Sequence, residues 1–225
     1  MPRRTPHPDA AAEAVSERLL DAAAQVLVEH GLAELTVRRV AERAGTSTMG
    51  VYSRYGGRVG ILEALYRRLF GELTTALSAV PATADPVADV LALAAAYRNF
   101  ALAAPQRYAF LFADPLPEFT PEPQLRADTV QDAFAPLMDA VRRASGADTD
   151  EAAATDAPGL AVTRASYCLW CVMHGLIGLE FTDVLRAPLT AWGVTGEDEA
   201  AAERMYFAGV TSMIAGLELR SVAHP

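Results

Sequence analysis

Apolar residues recur at helical spacing from the first long segment onward. Between Glu13 and His30, Leu19, Ala23, Val26 and Leu27 share one face, and Gly31 follows where a helix commonly ends in a left-handed residue. Thr36 can cap the run VRRVAERA and Gly45 closes it, which predicts a helix of about eight residues that must lean on a neighbour to persist. The stretch TSTMGVYSRY then opens with capping hydroxyls, sets Val51 and Tyr55 four apart on one face, and stops at Gly56-Gly57.

The remainder also reads as helix, punctuated by proline. A fourth helix is expected from Arg58 to Val80, ended by Pro81, and a fifth from Asp85-Pro86 to Ala104. Pro105 opens a short helix through Phe112, DPLPEFTPEP forbids regular structure, and another helix is expected over Gln124 to Ser145. After the solvated loop GADTDEAAATDAP come two unusually apolar helices, Pro158 to Leu185 and Glu197 to Arg220, expected to bury each other. The uncharged run Ala165 to Leu179 falls short of the roughly 20 residues that span a bilayer, so it reads as a buried helix and no membrane partner is expected.

Composition changes this picture little, and charge changes it more. The chain has 225 residues, 52% hydrophobic and 21% charged, a globular balance with a formal net charge of -9. Residues 1 to 72 sum to +1 and residues 73 to 225 to -10, so the two parts differ in task. Arg38, Arg39, Arg43, Arg54 and Arg58 face only Glu42 between Thr36 and Arg58, a local +4 that reads either as a phosphate footprint or as a solvated helix face. Every basic residue is Arg, which follows genome composition more than function. Two cysteines and the start MPRRTPHPDAAAEAV, which lacks a signal-peptide core, fit a reducing, cytoplasmic location.

The two short helices meet the requirements of a helix-turn-helix. Small Ala41 and Ala44 permit a close crossing, Gly45 suits a left-handed turn residue, and Val40 and Val51 lie beneath. At about 100° per residue, Met49 and Ser53 point away from Val51, with Thr48 and Tyr52 on the flanks. Hydroxyls, a thioether and a phenol suit base edges and phosphates of double-stranded DNA.

LTVRRVAERAGTSTMGVYSRYGGRVGIL, with the helix that ends at Gly31, resembles the DNA-binding signature of the TetR family of bacterial transcriptional regulators. The resemblance implies an all-α chain of about nine helices. It would comprise an N-terminal arm (1–12), a helix-turn-helix domain (13–65) and a C-terminal ligand-binding and dimerisation domain (66–225). It also implies DNA contacts by Thr36, Arg38, Thr46, Ser47, Thr48, Met49, Tyr52, Ser53 and Arg54, and by Arg58, which stands where the family most often has Lys at the start of the fourth helix and keeps its charge. Gly50 within the recognition helix, and Gly56, Gly57 and Gly60 after it, depart from good helix formers and read as sites of close backbone approach or of extra flexibility.

Trp170, His174 and Gly175 resemble the Trp-x-x-x-His-Gly feature of the WHG subgroup of these regulators. Gly175 and Gly178 would pack against Gly209 and Gly216, within the chain or across the homodimer interface that the family resemblance implies. Tyr97, Phe100, Phe110, Phe134, Trp170 and His174 are candidates to line an apolar effector site, although most such aromatics are core residues. Cys168, Cys171 and His174 repeat every third residue without an evident fourth ligand, so no metal and no cofactor is expected. The thiols read as buried, with redox sensing the other reading.

The chain therefore reads as a homodimeric repressor that binds a near-palindromic operator and is released by a small apolar effector. The other reading is an all-helical small-molecule or redox-sensing protein that no longer uses its helix-turn-helix on DNA. No nucleophile elbow, phosphate loop or dinucleotide fingerprint points to an enzyme.

Overall fold

Capping chemistry sets the helix ends. The structure, a computed structural model, describes residues 8–112, 119–146, 157–182 and 199–220. Among these residues the elements are α1 (Pro8–His30), a 3-10 turn (Leu32–Glu34), α2 (Val37–Arg43), α3 (Thr48–Tyr55), α4 (Arg58–Ser78), α5 (Pro86–Ala103), α6 (Pro105–Phe112), α7 (Pro123–Ser145), α8 (Ala157–Glu180) and α9 (Glu199–Gly216). The all-helical expectation stands. α1 begins at Pro8, earlier than the pattern indicated, because Pro at a first helical position followed by alanines favours the helix. Residues 1–7 of the expected arm, the first half of DPLPEFTPEP (114–118), most of the GADTDEAAATDAP loop, and residues 183–185 and 197–198 of the last two expected helices lie outside the described residues.

Thr36 Oγ1 accepts the Arg39 N–H at 3.2 Å and caps α2. Gly45, at φ 63°, ends it in a left-handed turn, with Thr46 N–H on the Ala41 carbonyl at 3.0 Å and Gly45 N–H on that of Glu42 at 3.2 Å. The same pair of bonds closes α9 without glycine. Leu219 N–H meets the Ile214 carbonyl, Glu218 N–H meets that of Ala215, and Glu218 itself takes φ 55°. α9 therefore stops before Arg220, whose N–H bonds the Ala144 carbonyl at 3.0 Å.

The chain divides into two compact units, one comprising residues up to Glu72 together with Ala104–Val130, the other Leu73–Ala103 and everything from Gln131. This differs from a single boundary at residue 65, because α6 and the first turns of α7 pack within the first unit. That unit buries Leu19, Val26, Leu27, Leu35, Val40, Val51 and Leu65, and an aromatic cluster joins Tyr66 to Phe110 and Phe119. The second buries Val90, Leu169, Ile177, Val210 and Tyr206, with α8 and α9 packed along each other and both against α5. α4 runs unbroken from one unit into the other; near the boundary it carries an exposed Gly71, with nothing within 4 Å of where a Cβ would stand.

Candidate functional site

The helix pair α2–α3 presents the expected outward face. Val51 is fully buried, while Met49 is 72% and Tyr52 55% exposed, and Thr48, Ser53 and Arg54 are exposed beside them. Ser47 caps α3 by accepting the Gly50 N–H, and Ser53 Oγ donates to the Gly50 carbonyl at 3.1 Å. Thr46 is half-buried, and a Cβ at Gly50 would stand 2.9 Å from its Oγ1, so this glycine lets the turn lie close on the recognition helix. Gly60 is more constrained still: a Cβ there would sit 1.8 Å from the Tyr55 carbonyl oxygen. Close approach, not looseness, accounts for both positions. Tyr55 also fixes α3 to α1, its hydroxyl donating to the Ser16 carbonyl at 2.9 Å.

The basic residues are engaged internally to different degrees. Arg38 pairs with Glu42 at 2.8 Å, both mostly exposed, Arg39 pairs with Glu34 at 2.9 Å, and Arg43 pairs with Glu29 and Gln25 of α1. Glu29 and Glu34 lie outside the segment that summed to +4, so the positive patch is weaker than that count implied. Exposed pairs of this kind are marginal in water and separate readily when a phosphate competes. Arg54 Nε reaches the Ala12 carbonyl at 3.5 Å. Arg58 turns inward, with Nε 2.7 Å from the Leu35 carbonyl and Nη2 3.1 Å from that of Leu32. This is a different placement from the outward phosphate contact expected for it.

The expected effector residues divide between the two units. Phe110 stacks on Phe119 at 6.0 Å in the core of the first. In the second, the Trp170 indole N–H, which can only donate, meets the Tyr97 hydroxyl at 3.0 Å. Tyr97 can then give its own hydrogen to His174 Nδ1, 3.3 Å away, which requires a neutral imidazole protonated at Nε2. Burial lowers the His174 pKa from its ordinary value of 6.5 and favours that neutral form. Phe134 packs on Trp170 at 5.5 Å, and Phe100 is half-buried. None of these residues lines the cleft of about 250 Å³ bounded by Val80, Leu93, Pro136, Asp89 and Arg143.

Two polar knots in the second unit escaped the sequence reading. Arg98 donates Nε and Nη2 to the two carboxylate oxygens of Glu180 at 3.0 and 2.6 Å, both side chains nearly buried, and its guanidinium lies 5.9 Å from the Tyr206 ring centroid. The signal was available, since Arg98 is the lone charge in the apolar run from Val90 to Pro105. Asp89 accepts from Thr83 N and Oγ1 and from Arg143. Burial opposes its charge, and those hydrogen bonds outweigh burial and hold the carboxyl below its usual range.

The apolar α8 is less buried than expected. Leu160 (56% exposed) and Tyr167 (58%) form an outward stripe with Arg164, Cys171, Gly175 and Gly178, and only 28% of the apolar window within Leu160–Glu180 is buried. That segment is also long and apolar enough, by composition, to cross a membrane, against the expectation from its uncharged core alone. Gly209 faces Leu176 of α8, whereas Gly175, Gly178 and Gly216 face open space. Cys171 is exposed and Cys168 half-buried, both as free thiols, which corrects the reading of two buried ones.

Residues 90–205 match the family model "Tetracyclin repressor-like, C-terminal domain", and residues 19–65 match "Bacterial regulatory proteins, tetR family". The chain belongs to the TetR family.

An HTH-type transcriptional regulator of Mycobacterium bovis is 28% identical over 65% of this TetR-family chain, a match that spans 63% of the relative's own length. An uncharacterised HTH-type regulator of Mycobacterium tuberculosis is 26% identical over 91% of this chain and 82% of its own. Among solved structures, SCO4313 superposes with a TM-score of 0.70 at 21% identity, covering 94% of this chain and 100% of that one. SCO7222, a TetR from Streptomyces coelicolor, gives 0.60 at 23%, covering 93% and 99%. These likenesses establish the fold.

Proposed function

We propose that this TetR-family chain is a DNA-binding transcriptional repressor that acts as a homodimer on a near-palindromic operator and leaves it when a small, mainly apolar effector binds. The observation that carries the reading is the exposed face Thr48, Met49, Tyr52, Ser53 and Arg54, held outward by the buried Val51 and by the Ser47 cap. Thr36, Arg38, Thr46 and Ser47 complete the contact set, Thr36 and Ser47 at helix N-termini whose amides favour phosphate.

The outward stripe of α8, with Met205 exposed on α9, supports a second copy as its cover; Gly175 and Gly178 leave room for a close helix approach. Trp170, Tyr97, His174 and Phe134 support an effector site of apolar walls with a neutral histidine for orientation, and the Trp170-x-x-x-His174-Gly175 spacing supports the WHG subgroup. Release then requires only that effector and operator prefer different conformations of the dimer.

The test is binding of the purified full chain to the promoter region beside its own gene, measured against salt, with sedimentation to give the mass. Dimers whose affinity falls with salt in proportion to their phosphate contacts support the proposal. A monomer, or a dimer indifferent to every fragment of that region at low ionic strength, would defeat it.

A further inference from the structure

Arg58 is the first residue of α4, and its side chain reaches back across the sequence to close the 3-10 turn that leads into α2. The two carbonyls it engages bracket that turn: Leu32 O, which also accepts the Leu35 N–H at 3.2 Å, and Leu35 O, which immediately precedes the capping Thr36. Leu35 itself is fully buried, so the turn is held by a hydrophobic peg on one side and by the guanidinium fork on the other. Two residues further on, Gly60 brings the same helical turn of α4 against the terminal carbonyl of α3 so closely that no side chain fits. One turn of α4 thus grips the leader of α2 through Arg58 and the end of α3 through Gly60.

We propose that Arg58 is a positioning residue of the DNA-reading surface, which fixes the start of α2 through the Leu32 and Leu35 carbonyls and does not act as a phosphate anchor. The proposal rests on the reading that α2 and α3 meet DNA. At this position Lys and Arg are not equivalent, although both carry one positive charge. The planar guanidinium offers donors at a spacing that two adjacent carbonyls can share, whereas an ammonium is a single point of donation on a flexible stem. Phosphate contact is left to Thr36, Ser47, Tyr52 and Arg54, all exposed.

Salt dependence separates the two roles, because removal of a phosphate-neutralising charge lowers the slope of log affinity against log salt by about one. The full-length chain, Arg54→Ala, Arg58→Met and Arg58→Lys would be titrated with the same promoter fragment between about 50 and about 200 mM salt. Amide hydrogen exchange would be followed in the protein without DNA. Arg54→Ala should reduce the slope by about one. Arg58→Met should weaken binding about tenfold with the wild-type slope retained, Arg58→Lys should fail to restore affinity, and the Arg39 and Val40 amides at the α2 cap should exchange faster in both.

A slope loss in Arg58→Met equal to that of Arg54→Ala, or wild-type affinity in Arg58→Lys, overturns the proposal. Should Arg58→Met not fold, Arg58→Lys carries the comparison alone, since it keeps the charge and loses the fork. If the wild-type chain binds no fragment, the DNA-binding reading fails; unchanged exchange at Arg39 and Val40 would separately sink the brace.

Discussion

The α2–α3 face of the first unit and the helix core of the second hold their ion pairs in opposite ways. On the α2–α3 face, Arg38 and Glu42 form a pair that water already surrounds, with side chains 84% and 63% exposed. In the second unit, Arg98 and Glu180 form a bidentate pair at 10% and 13% exposure, and Asp89 is enclosed by Thr83 and Arg143. A pair in water can be exchanged for a phosphate at small cost, whereas a pair out of water cannot be opened without stranding a charge. The first arrangement suits a surface that must let go of itself to meet a partner. The second suits a scaffold that must keep its helices in register.

The largest effect should come from the junction that serves the reading face. Gly60→Ala places a methyl inside contact distance of the Tyr55 carbonyl oxygen, which lies 1.8 Å from the Cβ position, so α4 and α3 must separate. We expect a loss of about 5 kcal/mol or more in denaturant unfolding, together with loss of operator binding. Next comes the buried pair. Arg98→Ala leaves Glu180 without its partner and should cost about 3–5 kcal/mol, while the double replacement Arg98→Met with Glu180→Leu should recover most of it. Equal losses in the single and double variants would show that the pair does not behave as an enclosed one.

Smaller effects sharpen the contrast. Gly178→Leu adds bulk where nothing lies within 4 Å and replaces a helix-weakening glycine, so it should not lower the folded chain's stability while sedimentation shows weaker self-association. His174 has a folded-state pKa below its unfolded value near 6.5, so the unfolded chain takes up a proton first as pH falls and stability declines below about pH 6.5. His174→Gln should flatten that decline in thermal melts between pH 7 and pH 5. Arg38→Ala should hardly alter the melting curve, since its pair is solvated.

The helix-turn-helix was legible in the sequence because its determinants are local: Thr36 and Ser47 cap, Gly45 turns, and Val40 and Val51 mark the inner side within a few residues of one another. The direction of Arg58 was not, because its acceptors, Leu32 and Leu35, sit more than twenty residues upstream in a turn that no periodicity announces. The aromatic set could not be partitioned for a similar reason. Phe110 and Phe134 look alike in sequence, yet only long-range packing assigns one to Phe119 and the other to Trp170. α8 was misread as buried because apolar composition does not say which faces of a helix the chain itself covers.

Gly71 gives α4 one further property. Away from the crowded first turn that holds Gly60, a residue without a side chain lowers local helix preference by about 1 kcal/mol relative to alanine. Its open surroundings mean that a methyl could be added there without collision. The helical preference of α4 at this point is therefore adjustable by a single carbon atom.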